Sequence, residues 1–259
     1  KVNQAESEAI AEAFAKKGYD IKSIDEKADV YVINTCTVTN FGDKKSRQLL
    51  RKVKKLNPDA VVVAAGCYAQ TDQKAIEDMP EGGIIVGTKG RSHIVVSVVK
   101  FLEDKKRINI VGDIMKEREF EPISINSLAG RTRAYIKIQD GCSQFCSYCI
   151  IPYARGPIRS RDEEDVISEV KKLALNGFKE VVLTGIHVAS YGKDNHKTDL
   201  LSLIKKVNLI DGIERIRLSS VEPNIVTEEF AHDLSLMPKV CRHFHLSLQS
   251  GCDKTLKAM

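Results

Sequence analysis

Three cysteines crowd one short stretch of the chain: Gly141-Cys142-Ser143-Gln144-Phe145-Cys146-Ser147-Tyr148-Cys149 has the spacing C-x3-C-x2-C. Soft thiolates suit iron–sulfur clusters or zinc. Structural zinc sites use four ligands, commonly two C-x2-C pairs. Here one such pair is joined by a single upstream Cys, with no fourth ligand nearby. Three protein ligands on a four-iron cluster leave one iron open, and an open iron can bind a cofactor. A zinc knuckle, or three unrelated core thiols, are the competing readings of the spacing.

Two more thiols follow the same logic more weakly. Cys36 closes Asn34-Thr35-Cys36 after one apolar run, and Cys67 closes Gly66-Cys67 after the next. If those runs are neighbouring parallel strands, both thiols lie at the sheet edge where ligands bind in such folds. Each alone reads as a buried core thiol; together they would make two ligands of a second cluster that lacks a third. Cys241 and Cys252 have no partner pattern and are read as core thiols. Seven Cys is an odd count, and with no secretory feature in the sequence it suggests a reducing compartment, the cytoplasm, rather than disulfides.

These thiols need elements to position them. The first stretch alternates helix and strand. Helices are expected over Ala5 to Lys17, Phe41 to Leu56, Ala69 to Asp78 and Ser92 to Leu102. Strands are expected over Val30 to Ile33, Ala60 to Ala65 and Ile84 to Val86. Residues 113–131 lose this rhythm and read as a linker between a domain at 1–112 and another at 132–259.

A second series follows. The strand Ala134 to Ile138 leads into the Cys-rich loop, and a helix covers Glu163 to Leu175. The strand Val181 to Leu183 ends at Thr184-Gly185, and a helix covers Leu200 to Val207. The strand Ile213 to Leu218 ends at Ser219-Ser220, and Thr227 caps a helix running to Leu236. A last strand, Phe244 to Leu248, ends at Gln249. The fold class is therefore α/β: a parallel-sheet domain, then a partial (β/α) barrel whose chemistry sits on the loops after the strands. The chain reads as cut at both ends, since it starts inside a helical pattern and stops as another begins.

Composition fits this picture. Of 259 residues, 42% are hydrophobic and 29% charged, enough for a core and a polar surface. No apolar run reaches the roughly 20 residues that span a bilayer, so no membrane partner is expected. The net charge of +5 permits an RNA partner without requiring one.

The loop C-x3-C-x-aromatic-C, with Tyr148 at the aromatic position and placed after the first barrel strand, resembles the signature of radical S-adenosylmethionine (SAM) enzymes. With the N-terminal pattern and GCSQFCSYCIIPYARG, the chain resembles the methylthiotransferase family of that superfamily over nearly its whole length. The wording Asn34-Thr35-Cys36-Thr37-Val38-Thr39-Asn40, Lys45-Ser46-Arg47-Gln48 and Gln144-Phe145 is similar to the branch acting on N6-threonylcarbamoyladenosine (t6A) at position 37 of tRNA. Other branches act on isopentenyladenosine or on a ribosomal protein aspartate.

The resemblance implies two [4Fe-4S] clusters and SAM as cofactors, the first cluster on Cys142, Cys146 and Cys149. The second would use Cys36, Cys67 and a third Cys that the family places just before the segment matching Lys1 to Gln4. It implies that an electron from the first cluster cleaves SAM, that the resulting radical removes the adenine C2 hydrogen, and that a methylated sulfur replaces it. An adenine C2–H is neither acidic nor electrophilic, which is why a cofactor must supply the hard step. The partners implied are the tRNA anticodon loop and an electron donor such as flavodoxin or ferredoxin. Without the third Cys and the family's C-terminal RNA-binding domain, this chain alone is expected not to complete sulfur insertion.

Position within that family assigns further residues. Tyr148 packs near the SAM adenine, Thr184 and Gly185 hold its methionine part, Ser219 and Ser220 contact ribose, and Gln249 points in from the fourth strand end. Each is equally readable as an ordinary strand-end cap. Arg155, Arg159 and Arg161 follow the cluster loop and are expected to contact RNA phosphates. Arg51 to Lys55 closes a helix, where cations complement the dipole. His187 has no assigned role, and His243 and His245 are read as packing residues. A non-catalytic iron–sulfur or zinc module that binds RNA is the reading from another class.

Overall fold

A computed structural model describes residues 1–123 and 133–259. The expected linker falls partly outside these residues. The chain divides into two compact units, one of Ala9–Glu117 with Cys149–Gly156 and one of Lys1–Glu8, Arg118–Tyr148 and Pro157–Met259.

The first sheet is built in chain order from α1 (Val2–Ala15), β1 (Val30–Thr35), α2 (Asn40–Leu56), β2 (Val61–Gly66), α3 (Cys67–Thr71), α4 (Gln73–Glu77), β3 (Ile84–Val86), α5 (Ile94–Asp104) and β4 (Ile108–Asn109). Its strands run parallel in the order β1-β2-β3-β4. The central β2, Val-Val-Val-Ala-Ala-Gly, is buried along its whole length, whereas the edge strand β1 alternates. A strand covered on both faces reads as a continuous apolar run, while an edge strand is free to alternate. Leu50, Val53, Tyr68 and Ile76 from α2, α3 and α4 cover one face, and Ile10, Phe14, Ile94 and Val98 from α1 and α5 cover the other. The single helix expected over Ala69 to Asp78 is two short ones. Asp72 breaks the helical backbone (φ −135°, ψ 57°) and caps the second with its carboxylate on the Ala75 N–H.

The second sheet holds β5 (Arg133–Asp140), β6 (Arg159–Ser160), β7 (Glu180–Gly185) and β8 (Arg215–Leu218), with the helices α6 (Ile151–Arg155), α7 (Glu163–Leu175), α8 (Leu200–Asn208), α9 (Glu228–Ser235) and α10 (Asp253–Ala258) between and after them. Its order is β6-β5-β7-β8, with β5, β7 and β8 parallel and β6 antiparallel on β5. One core lies between these strands and Val170, Leu173, Leu203, Ile204, Val207, Phe230 and Leu234 of α7, α8 and α9. This is part of a (β/α) barrel. Thr227 caps α9 as expected, its hydroxyl accepting from the Phe230 N–H.

The fourth barrel strand expected at Phe244 to Leu248 does not form. Only single bridges continue the sheet, Ile216 with Val240 and Val221 with Leu246. Pro223 follows Val221 closely and has no N–H to extend the ladder. His243 and His245 are consequently exposed rather than packed, with His245 Nδ1 2.7 Å from the Ser220 hydroxyl. Cys252 is likewise exposed at the start of α10 and Cys241 is half-buried, so neither is a fully buried core thiol.

Candidate active site

The Cys-rich loop leaves the C-terminal end of β5, and its backbone there is pinned. Between Lys137 and Gln139 the β5–β7 register slips by one residue, a bulge that bends the strand and re-aims its side chains. Gln139 is fully buried. Its amide nitrogen donates to the carbonyls of Asp140 and Gly141, both at 2.7 Å, and its oxygen accepts from the His187 N–H at 2.8 Å. Gly185 has to be glycine for this: a Cβ there would sit 2.8 Å from Gln139 Oε1 and 3.0 Å from its Cβ. Gly141 turns with φ +73°, and its N–H donates to the Asp140 carboxylate.

A buried ion network braces the same strand end. Lys137 Nζ lies 2.8 Å from Glu6 and 2.6 Å from Asp140, and Arg159 lies 3.7 Å from the same Asp140 oxygen. Charges this deep persist only when paired and hydrogen-bonded. Sequence reasoning missed Lys137, Gln139 and Asp140. Polar residues at the end of an apolar strand were the available signal.

Cys142, Cys146 and Cys149 are half-buried on this loop, and none is in a disulfide. Among the described residues no three His, Cys, Asp or Glu side chains converge as a ready ligand set. The donor chemistry nevertheless fits an iron–sulfur cluster, since three soft thiols stand within eight residues of one loop. Tyr148 donates a 3.0 Å hydrogen bond to Gln249 Oε1, and Gln249 takes a left-handed backbone (φ +64°).

Thr184, next to last in β7, and Ser219, just past β8, stand one step beyond the paired Leu183 and Leu218. Both are buried, and neither hydroxyl has a hydrogen-bond partner among the described residues. An unpaired buried hydroxyl costs about 1–3 kcal/mol, so two at one barrel edge mark a place where a polar ligand belongs. They fit a molecule such as SAM. Ser220 is exposed and held by His245. His187 is engaged by Ser190 and by Glu222, whose carboxylate lies 2.8 Å from its Nε2.

The three arginines expected at RNA phosphates are all buried at 3% exposure or less. Arg159 faces Asp140 and the Pro157 carbonyl, Arg161 pairs with Glu169, and Arg155 donates from Nε to Cys67 Sγ at 3.1 Å. A guanidinium taken out of water holds its internal partner, so these groups do not face an incoming strand.

On the first sheet, Thr35 of β1 and Gly66 of β2 are register partners, which sets Cys36 and Cys67 next to each other at the C-terminal edge. Gly66 has φ +102°, and a Cβ there would lie 2.7 Å from the Thr35 carbonyl. The Thr35 hydroxyl donates to the Ala65 carbonyl at 2.7 Å, tying the two strand ends together. Two thiols are an incomplete set for a cubane cluster, though of the right chemistry for part of one.

The fold and the Cys loop define a radical SAM chain. Residues 136–259 match the Radical SAM superfamily, and residues 1–87 match UPF0004, described as an uncharacterized protein family. Among solved structures the chain is similar to the radical S-adenosylmethionine methyltransferase TsrM from Kitasatospora setae bound to tryptophan and a SAM analogue. The TM-score is 0.63 at 16% identity, over 97% of this chain and 57% of that one. At such identity the likeness is one of fold.

Over its whole length the chain is similar to radical SAM methylthiotransferases. It is 44% identical to the threonylcarbamoyladenosine tRNA methylthiotransferase MtaB of Bacillus subtilis, over all of this chain and 58% of that protein. It is 40% identical to the MtaB of Aquifex aeolicus over 63% of that protein. It is 34% identical to the tRNA-2-methylthio-N(6)-dimethylallyladenosine synthase of Dictyoglomus thermophilum over 59% of that protein. The chain thus spans about six-tenths of the length of these curated relatives.

Proposed function

We propose that this chain is the catalytic part of a tRNA methylthiotransferase that places a methylthio group on C2 of t6A at position 37, with SAM as radical source and methyl donor. The observation that carries this is the pinned three-thiol loop at the end of β5, with two buried, partnerless hydroxyls at the ends of the neighbouring strands β7 and β8. Cys142, Cys146 and Cys149 would hold the first [4Fe-4S] cluster. Thr184 and Ser219 would hydrogen-bond SAM, with Gly185 leaving room beside them and Tyr148 and Gln249 closing over the loop. Ser220 would join them only by releasing His245. The cluster and SAM together supply a radical able to take a hydrogen from adenine C2. Cys36 and Cys67 would hold part of a second cluster.

The t6A substrate is favoured over isopentenyladenosine by the relatives: the two MtaB proteins stand at 44% and 40%, the dimethylallyladenosine synthase at 34%. The reaction would take place in the cytoplasm, where an electron donor such as flavodoxin or ferredoxin meets tRNA.

The test is hydrogen transfer, because it needs only the first cluster. The anaerobically reconstituted chain is given SAM, dithionite and an anticodon stem-loop deuterated at adenine C2 of t6A. Deuterium should appear in 5′-deoxyadenosine by mass spectrometry. Transfer from an isopentenyladenosine stem-loop instead would move the substrate to that branch, and zinc without sulfide in the purified chain would leave the RNA-binding module.

A further inference from the structure

Helix α2 presents a face that the core does not explain. Its inner side is anchored by Leu50 and Val53, both fully buried. At 100° per residue, Phe41, Lys44, Lys45, Gln48, Arg51, Lys52 and Lys55 share the opposite side within about a third of a turn, and all are exposed. Lys44, Gln48, Arg51 and Lys55 form one straight row, spaced four, three and four residues apart and extending about 16 Å along the axis. Lys52 has a partner in Asp25, whereas Lys44, Lys45, Arg51 and Lys55 have no side-chain partner among the described residues.

The helix dipole accounts for little of this. It acts within the last turn, where Lys54 and Lys55 lie. Lys44 and Lys45 stand in the N-terminal half, where a cation gains nothing from the dipole, and Arg51 precedes the last turn. Arg51 and Lys55, four apart, repel each other in the free protein. The row is therefore mildly unfavourable by itself and complementary to a line of anions.

Phe41 adds an independent mark. It opens the same face and is 73% exposed, a large aromatic on an otherwise polar surface. Cys36 lies five residues before it, at the C-terminal edge of the first sheet. An RNA strand offers one phosphate per nucleotide for the cations and a base face for the aromatic ring. An amphipathic membrane-surface helix would carry a continuous apolar face where α2 carries this one aromatic ring and a row of cations.

We infer that the outer face of α2 is an RNA-docking surface, with Lys44, Arg51 and Lys55 on backbone phosphates and Phe41 stacked on an unpaired base. It rests on the tRNA reading above and adds to it the surface by which the RNA is held.

The experiment is fluorescence-anisotropy binding of an anticodon stem-loop RNA to the chain across a salt series. Replacing Lys44, Arg51 and Lys55 together by Glu should weaken binding on the order of tenfold or more and lower the log–log salt slope by about 2. Phe41→Ala should weaken binding roughly fivefold with the slope unchanged. A charge-matched control, Glu at the exposed Lys17, Lys100 and Lys106, should stay within about twofold of the parent, because phosphate contacts are local. Circular dichroism checks that each variant folds.

If the α2 variant binds like the parent, or the control loses as much, the surface is wrong while the tRNA reading stands. Tighter binding of the parent to phosphatidylserine vesicles than to RNA, abolished by Phe41→Ala, would make α2 a membrane surface and overturn the inference. If the parent neither binds the stem-loop nor transfers its deuterium, the tRNA reading falls and this inference with it.

Discussion

The two ends of the strand pair β7 and β8 treat polar groups in opposite ways. At the N-terminal end, Glu180 of β7 is met by three arginines: Arg133 of β5 at 2.5 Å, and Arg215 and Arg217 of β8 at 3.0 and 2.7 Å. Burial works to raise the Glu180 carboxyl pKa, but the hydrogen bonds from Arg215 and Arg217 and the Arg133 charge outweigh it and hold the pKa below the usual carboxylate range. Four residues further along the same strand, Thr184 is buried with no partner among the described residues, and Ser219 beside it likewise. One end is satisfied and stabilises the fold. The other end bears an unmet demand, the pattern expected where a parallel barrel keeps stability at its N-terminal face and chemistry at its C-terminal face.

The sharpest test of the difference is Cys146→Ala at the C-terminal end. It should abolish SAM cleavage and remove roughly four irons per chain, with little change in melting temperature. SAM cleavage by this variant would sink the radical assignment. Next in size is Gln139→Leu, which should destabilise the fold by about 2–3 kcal/mol, since it leaves two carbonyls and one N–H without partners. Its iron content should also drop, because the loop loses its anchor. Chemical denaturation and iron analysis on one preparation read both effects.

Glu180→Gln tests the N-terminal end. A loss of about 1–2 kcal/mol is expected, between the values for exposed and buried pairs, because the arginines are a third to a half exposed. The pH dependence follows from the sign of the shift. A carboxyl with a lowered folded pKa contributes stability above the ordinary value of 4.5 and loses it as pH falls through the folded value. Acid unfolding of the parent should therefore steepen below about pH 4.5, and Glu180→Gln should flatten that limb. An unchanged acid limb would show that the cluster contributes no stability.

The smallest effect on stability, and the most telling for the comparison, is Thr184→Val. Removing an unsatisfied buried hydroxyl should leave stability unchanged or raise it by up to about 1 kcal/mol, while SAM affinity falls. A loss of stability with unchanged SAM binding, read by calorimetry and equilibrium dialysis, would make Thr184 an ordinary structural residue.

Much of this was legible before any coordinates. The Cys142–Cys146–Cys149 spacing is local, so a single loop displays it whole. The apolar run of β2 and the capping Thr227 are also written in neighbouring residues. The roles of Arg155, Arg159 and Arg161 were not legible. Three arginines after a loop look the same in sequence whether they face solvent or Cys67, Asp140 and Glu169. The failed strand at Phe244 to Leu248 had the right alternation but no adequate neighbour, and pairing partners are never adjacent in sequence.

The sequence by itself determined the identity and spacing of the thiols and the order of the strands and helices, because these depend on residue type and local backbone. Tertiary structure decided which polar groups are satisfied. Gln139 became the anchor of the cluster loop, Glu180 the hub of three arginines, and Thr184 and Ser219 the partnerless pair. Satisfaction depends on what lies across a sheet or a bulge, tens of residues away, and the free energy of a buried polar group is set by that distant partner rather than by the group itself.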